Sequence, residues 1–556
     1  MTRILGIASH YHDSAAAILV DGQVVAAAQE ERFSRVKHDA SLPKSAIAYC
    51  LEQAGIEPAQ LDYVAYYEKP LAKFDRLLET YLYFAPYGDQ FFRESIPTWT
   101  QSKLFLQRAI RSSLGGQYRK RIVFLEHHLS HAATAFFNSP FDQAAILTVD
   151  GVGEWTTTAI GVGRNNAIQL DSELRFPHSL GLLYSAFTAY LGFHVNDGEY
   201  KVMGLASYGK PEFKETILTQ LMDLKADGSF RINLEYFDYC RRVSMTNKKF
   251  DRLFGRQRTD SGEGSSFDLD ANIASSIQAA IEEILLRMVH TIHSRTQQKN
   301  LVIAGGVGLN CVANSRLANE GPFERVWVHG AAGDAGCALG AAQYVWHQLL
   351  GKSRVYVDGG HESNLMLGPE FDNEQIRAAL TESGLPFVAF EGVSELCDAV
   401  AEQLEQQKIV GWYQGRMEFG PRALGARSIL ADPRNPEMKE ILNSKIKRRE
   451  PFRPFAPAVL AELADSHFEM SNSMDCSSMI FTVNSRPSAE NFRPLNLPMQ
   501  FIEPEALAEP RHWKSASSSG SKSSRLASIV QVGNFPSIVH VDGSVRIQTV
   551  SKDDAS

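Results

Sequence analysis

The sequence predicts an α/β protein in which a duplicated core is followed by a second, smaller α/β domain. Three observations lead there: a strand–turn–hairpin unit that occurs twice, strands that alternate with helices after the second copy, and glycine-rich turns at the carboxyl ends of those strands. The first copy reads as strands at residues 4–8, 15–20 and 24–29, with a polar turn and then an Asp21-Gly22 hairpin signal between them. Asp-Gly between alternating apolar runs is a strong local cue, because the turn needs residues that tolerate positive φ. The second copy has strands at 144–149, 157–162 and 168–174, joined by 150-DGVGEW-155 and by Asn165-Asn166. Apolar residues then recur with helical spacing over 275–298, at Ile277, Ile281, Leu285, Met288 and Ile292. A strand at 301–304, a glycine-rich turn, a helix, a strand at 325–329, a second glycine-rich turn and an Ala-rich helix over 337–350 complete the half.

An aromatic, helical insert at about 66–120 interrupts this scheme. It reads as a layer with a buried aromatic face; it could also line an acceptor pocket or make a subunit contact that gives a homodimer. The stretch 351-GKSRVYVDGGHESNLMLGPEF-371 reads as a loop and sets a boundary, giving domains at 1–355 and 370–556. The second domain reads as helices at 373–383 and 393–405 and a strand at 409–413, and the Ser-rich 514–525 as a surface loop.

Composition narrows the function. The 556 residues carry a net charge of −8 and 44% apolar residues, which excludes a global electrostatic footprint for nucleic acid. No apolar run approaches the about 18 residues of a membrane span. The start lacks the basic and apolar regions of a signal peptide, so a cytoplasmic location is expected, with the six cysteines reduced and mostly in the core.

Several clusters carry chemistry. In 126-EHHLSH-131, His127 and His131 are four apart, so on a helix they share a face and can reach one ion. Asp150 closes an apolar strand nineteen residues later, and mixed nitrogen and oxygen donors suit Zn²⁺ or Fe²⁺ rather than Ca²⁺. The turn in 304-AGGVGLNCVAN-314 opens a helix, where Gly305, Gly306 and Gly308 allow backbone to approach a phosphate. Asn310 and Asn314 share a helical face from which they could reach a nucleotide. Asp334, in 330-GAAGDAGCALGAA-342, could complete the metal site; the plainer reading is a helix N-cap. The turn 9-SHYHDSAAAIL-19 offers His12 as a general base, and Lys37 could add positive charge to the same cleft. Between Arg416 and Arg453 there are ten Lys/Arg against five Asp/Glu, interleaved with Phe and Pro, which points to a walled oxyanion pocket for phosphate or carbamoyl phosphate.

Together with 178-HSLGLLYSAFTAYLGF-193, 198-GEYKVMGLASYG-209 and 417-MEFGPRALGARS-428, these motifs resemble the nodulation/antibiotic O-carbamoyltransferase family (NodU/CmcH type), and most nearly its saxitoxin-type and tobramycin-type branches. The resemblance runs from residue 4 to about 550. It implies a duplicated actin-like (ASKHA, RNase H-like) domain followed by a YrdC-like α/β domain. It further implies that carbamoyl phosphate and ATP, with Mg²⁺, give carbamoyl-adenylate in the second domain. The carbamoyl group then passes in the first domain to a hydroxyl of a small molecule such as a sugar, aminocyclitol or alkaloid. The implied metal ligands are His127, His131, Asp150 and Asp334; the base is His12 and the cleft lysine Lys37. The implied carbamoyl phosphate and adenylate residues are Arg422, Lys447, Arg453 and Arg546. Family chains extend past the position of Val550, so the YrdC-like part is expected to be incomplete here. The alternatives are an actin-fold sugar kinase or ATPase, which leaves the arginine cluster unexplained, and a truncated non-catalytic homologue. A metallopeptidase is disfavoured because the glutamate of HExxH is absent.

Overall fold

Continuous apolar runs, rich in Ala, Ile, Leu and Val and buried on both faces, build two five-stranded sheets of identical order. The computed structural model describes residues 1–101, 103–255, 266–354, 365–486 and 535–551. The first sheet holds β1 (Arg3–Ala8), β2 (Ala15–Val20), β3 (Gln23–Gln29), β4 (Tyr63–Tyr66) and β5 (Ile122–Phe124) in the order β3-β2-β1-β4-β5. The first three are antiparallel, while β4 and β5 run parallel to β1. The second sheet holds β6 (Gln143–Val149), β7 (Thr156–Arg164) and β8 (Ala167–Arg175). A separate small hairpin, β9 (Met222–Leu224) and β10 (Phe230–Ile232), precedes its last two strands, β11 (Asn300–Ala304) and β12 (Arg325–Val328). Its order, β12-β11-β6-β7-β8, repeats the first sheet with the same directions. The duplicated actin-like fold class is therefore as the sequence predicts.

The helices of the first half are α1 (Glu31–Ser34), α2 (Lys44–Gln53), α3 (Pro70–Phe84), α4 (Asp89–Gln101), α5 (Leu106–Ser113), α6 (His127–Phe137), α7 (Leu180–Tyr190), α8 (Glu199–Ala206), α9 (Lys214–Gln220), α10 (Lys248–Phe254), α11 (Phe267–Thr296), α12 (Cys311–Glu320) and α13 (Asp334–Tyr344). Two of them position the chemistry. Helix α6 follows the last strand of the first sheet yet packs on β6 and β11; α13 follows the last strand of the second sheet yet packs on β1 and β2. The two helices cross between the sheets and touch along a seam of small residues. A Cβ on Gly340 would lie 2.2 Å from the Ser130 carbonyl oxygen and 2.3 Å from Thr134 Oγ1. Thr134 Oγ1 in turn donates to the Gly336 carbonyl at 2.8 Å. Gly340→Ala is expected to cost about 2–3 kcal/mol, because the Ser130 carbonyl cannot yield without moving a helix. The urea midpoint measures it; an unchanged midpoint contradicts this close approach.

The insert is helical as expected, as α3 to α5, with Trp99, Leu106 and Ile110 buried. The C-terminal part carries α14 (Asn373–Glu382) and α15 (Val393–Glu405), both without buried residues, and short sheets formed by β13 (Val410–Tyr413) with β14 (Arg427–Leu430), β15 (Ala458–Leu460) with β19 (Gln548–Val550), and β16 (Phe468–Glu469), β17 (Thr482–Ser485) and β18 (Ser544–Arg546). Its Phe452, Phe481, Val545 and Ile547 join the core of the second sheet, and its Phe419 joins that of the first. Of the expected loop at 351–371, residues 355–364 lie outside the described residues, as does the Ser-rich 514–525. All six cysteines are free, and only Cys397 is exposed. Among the described residues no helix is long and apolar enough to cross a membrane.

Candidate active site

The crossing of α6 and α13 sets four donors face to face. His127 and His131, one turn apart on α6, have their Nε2 atoms 3.2 Å apart. Asp150, at the end of β6, has Oδ2 2.9 Å from His127 Nε2 and 3.9 Å from His131 Nε2. Asp334, the first residue of α13, has Oδ1 3.8 Å from His127 Nε2 and 3.5 Å from His131 Nε2. All four residues are buried. Local structure fixes each donor. Glu126 makes no side-chain cap, so the first amide of α6, that of His127, is taken instead by the Glu154 carboxylate at 3.1 Å. Gly306 donates its amide to Asp150 Oδ1 at 2.8 Å, and a Cβ there would lie 2.9 Å from that oxygen. Gly305, at φ +95°, passes within 2.1 Å (for a Cβ) of the Val149 carbonyl.

Two carboxylates enclosed with two imidazoles is a costly arrangement without a cation. Asp334 states the cost most clearly: neither of its oxygens has a hydrogen-bond partner, although it is 1% exposed. It begins a helix but caps nothing, the N-cap being Gly333. Burial opposes a charge on His127, yet Asp334 and Asp150 outweigh it and raise its pKa. Tetrahedral metal–nitrogen and metal–oxygen bonds of about 2.0–2.1 Å place donors roughly 3.3 Å apart, so these residues fit a divalent ion. Cys337 also lies within reach of both histidines, but burial holds its thiol well above the ordinary range. His128 is not a donor: its Nδ1 meets Thr148 Oγ1 at 2.7 Å, and burial lowers it to about 3.

The turn after β1 brings His12 to this pocket. His10 and Asp13 adopt φ of 71° and 52°, and His12 Nδ1 meets Asp13 Oδ2 at 2.9 Å, leaving Nε2 3.9 Å from Asp334 Oδ2. Burial lowers the His12 pKa, but Asp334 and Asp13 together raise it to about 9. Lys37 is half-exposed and bonds Asp197, with Tyr200 Oη at 3.4 Å. Sequence reasoning missed the link between them. His38 Nδ1 meets Asp13 Oδ1 at 2.7 Å and its Nε2 meets Asp197 Oδ1 at 3.1 Å, which closes a chain from Lys37 to His12. The bonds to Asp13 and Asp197 raise His38 to about 10 from 6.5, and its hydrogen bonds with His12 and His38 hold Asp13 low against burial. A raised histidine contributes stability that is complete below pH 6.5 and fades toward pH 10; a lowered aspartate contributes stability that fades as pH falls below 3.8. His38→Gln is therefore expected to lower the urea midpoint more at pH 5.5 than at pH 9.5. An equal loss at both would contradict the ion pairs.

The arginine cluster lies against the glycine-rich turn of the first half. Arg422 Nη2 reaches the Leu309 carbonyl at 3.4 Å, and the Nε atoms of Arg422 and Arg546 are buried without partners. Burial, then Arg546, hold the Arg422 guanidinium below its usual range. Arg453 lies 4.6 Å from the Tyr200 ring centroid, whose other neighbour is Lys37 at 5.4 Å, so α8 separates the two sites. Lys447 is lowered by burial and by Arg449 and Arg453. Arg449, not singled out from sequence, belongs to the same cluster: its Nε meets Asn443 Oδ1 at 2.7 Å and burial brings it to about 10.

Asn310 and Asn314 are buried and their amides are already bonded: Asn310 caps α12 through Ala313 and pairs with Gln278, while Asn314 donates to the Gly308 and Ile480 carbonyls. These bonds hold the turn together. Gly305 and Gly306 are likewise small because Val149 and Asp150 approach them; Gly308 has ordinary space, with Ile303 Cγ2 3.5 Å from its would-be Cβ.

The four donors thus meet between the two sheets, and the arginine cluster lies on the other side of α8. The family model described as "Carbamoyltransferase N-terminus" matches residues 3–343, and "Carbamoyltransferase C-terminus" matches residues 401–556. The chain belongs to the carbamoyltransferase family and is a carbamoyltransferase. It is 47% identical over 562 residues to an uncharacterized protein of Synechocystis, covering 99% of this chain and 86% of that one. It is 34% identical over 547 residues to nodulation protein NolNO of Sinorhizobium fredii, covering 97% and 70%. Among solved structures it is similar to HypF of T. kodakarensis, with a TM-score of 0.33 and 14% identity over 63% of this chain and 48% of that one.

Proposed function

We propose that this chain is an O-carbamoyltransferase that works in two steps at two places. In the first, the cationic cluster of the C-terminal part binds carbamoyl phosphate and ATP. Water first cleaves carbamoyl phosphate at its phosphorus–oxygen bond to give carbamate and phosphate; a carbamate oxygen then bonds the α-phosphorus of ATP as the bond to the departing pyrophosphate breaks. Arg422, Lys447, Arg453 and Arg546 bind and offset the negative charge of the phosphates. Carbamoyl-adenylate needs this activation because nitrogen donates into the carbonyl and makes a carbamoyl group a poor electrophile.

In the second step an acceptor hydroxyl attacks the carbamoyl carbon, the carbonyl–oxygen bond to the adenylate breaks, and AMP departs. In its neutral form, which prevails above its pKa of about 9, His12 takes the hydroxyl proton at Nε2, with Asp13 holding the ring at Nδ1. Lys37, through Asp197, His38 and Asp13, keeps that imidazole oriented. His127, His131, Asp150 and Asp334 would hold a divalent ion, Fe²⁺ or Zn²⁺, which supplies Lewis acidity toward an oxygen of the adenylate. The observation that carries the reading is the buried Asp334 carboxylate, without a hydrogen bond, among two imidazoles and a second carboxylate.

The test is carbamoyl-phosphate-dependent release of pyrophosphate from ATP by the folded chain, with mass spectrometry of the reaction for carbamoyl-adenylate. Both are expected. Absence of both, or phosphorylation of a sugar by ATP alone, would overturn the reading in favour of an actin-fold kinase.

A further inference from the structure

The chain between β13 and β14 does more than join them. Tyr413 and Arg427 pair at the end of that ladder, so a turn of about two residues could link such strands. Instead the chain runs out to Arg422 and back, and residues 419–426 form neither helix nor strand. Their backbone groups therefore need partners from elsewhere. Three returning amides converge on one: Leu424, Ala426 and Arg427 donate to Glu418 Oε1 at 2.8, 2.8 and 3.0 Å. Glu418 is 4% exposed. Bonds from amides to a carboxylate are charge-assisted, so they are short and directional. The outgoing side is held at Gly420, whose amide donates to Gln29 Oε1 at 3.3 Å and whose carbonyl accepts from Arg32 Nη2 at 2.8 Å. Gly420 and Gly425, at φ of +124° and +108°, let the backbone bend at both shoulders. A further tie comes from buried Gln548, which donates from Nε2 to the Leu424 carbonyl at 2.8 Å. Gln548 stands two residues past Arg546, so the loop of one arginine is bonded to the strand of the other.

The tip itself is loosely held. Arg422 has a buried Nε without a partner, and its one side-chain hydrogen bond among the described residues is the 3.4 Å contact to the Leu309 carbonyl. Arg546 pushes against it with like charge. The place of that guanidinium is therefore set by the backbone that carries it, and the backbone is set by its ties to Glu418 and Gln548. We propose that Glu418, seconded by Gln548, is a positioning residue of the cationic site: by gathering three amides on one carboxylate oxygen it fixes the loop that presents Arg422, beside Arg546, to a phosphoryl group. This rests on the two-step reading above and adds to it a residue that touches no substrate.

The test uses Glu418→Gln in the full chain, which keeps the length of the side chain and one acceptor oxygen but gives up the charge. Inorganic phosphate is titrated calorimetrically, with sodium chloride at equal ionic strength as control. The variant is expected to bind phosphate at least about fivefold more weakly and to release pyrophosphate at least about tenfold more slowly. In an Arg422→Met background the same substitution should change pyrophosphate release by less than about twofold, because it acts through Arg422. A loss by the same factor in both backgrounds, as general loosening of the fold would give, overturns the proposal. So does unchanged phosphate affinity, or a parent chain that binds phosphate no better than chloride. If Glu418→Gln does not fold, Gln548→Met takes its place, with weakened phosphate binding and the same dependence on Arg422 expected, and an unchanged affinity or a loss independent of Arg422 contradicting. Weakened phosphate binding in the variant, with no pyrophosphate release by the parent, keeps the positioning role and removes the two-step mechanism. Pyrophosphate release with independent losses removes only the positioning role.

Discussion

Asp334→Asn is expected to empty the four-donor pocket of its ion and to lower carbamoyl transfer by at least about 1,000-fold, while pyrophosphate release continues. A thousandfold loss is about 4 kcal/mol at 1.36 kcal/mol per decade, in the range a Lewis acid contributes to charge stabilisation. Asparagine keeps the shape of the side chain, so the packing of α13 on β1 and β2 should survive. The substitution also removes the carboxylate that lies 3.5 Å from His131 Nε2 and 3.8 Å from His127 Nε2. A variant that loses both activities together would mean that Asp334 serves folding rather than the ion. Metal content by mass spectrometry and separate assays of the two steps distinguish these results.

Arg422→Met is expected to give the opposite pattern. Its guanidinium is buried beside Arg546 and makes a single long contact, 3.4 Å to the Leu309 carbonyl. Removal of one such donor from a preorganised anion site costs about 10²–10³ in rate. Pyrophosphate release should fall by that factor, whereas transfer from added carbamoyl-adenylate should be retained. Because two buried guanidiniums repel each other, phosphate should raise the thermal midpoint of the parent protein and leave that of the variant unmoved. Equal loss of both steps in Arg422→Met would remove the division of labour between the two sites.

Much of this was legible in the sequence because its physics is local. Alternating apolar residues and Asp-Gly turns gave the hairpins nearly to the residue, and the same pattern at 144–174 disclosed the duplication. His127 and His131 were legible for the same reason, since a spacing of four fixes a shared helical face. Asp150 and Asp334 were visible as acids at the carboxyl ends of strands, where α/β folds bring chemistry together. What stayed hidden depends on contacts distant in the chain. His38 bonds Asp197 across 159 positions, and Arg422 meets Leu309 across 113. No periodicity encodes either pairing. The asparagines of the glycine-rich turn misled for a different reason. Asn310 and Asn314 have side chains suited equally to a ligand and to capping, and Gln278, Gly308 and Ile480 decide for capping. The glycines of the same turn carried a real signal, close approach, which Gly305 makes to Val149 and Gly306 to Asp150. Arg449 lay in plain view within the basic run, where nothing local separates a pocket-lining arginine from a solvated one.

The α6–α13 crossing is the centre of the account. It places two imidazoles and two carboxylates, from segments some two hundred positions apart, around one point, and leaves Asp334 unbonded there. X-ray absorption of the chain loaded with Zn²⁺ and dialysed tests this most directly. One ion per chain, with a first shell of nitrogen and oxygen only at about 2.0–2.2 Å and the multiple scattering of two imidazoles, is the expected result. A sulfur at about 2.3 Å, which would bring in Cys337, or less than one tightly held ion per chain, would contradict it.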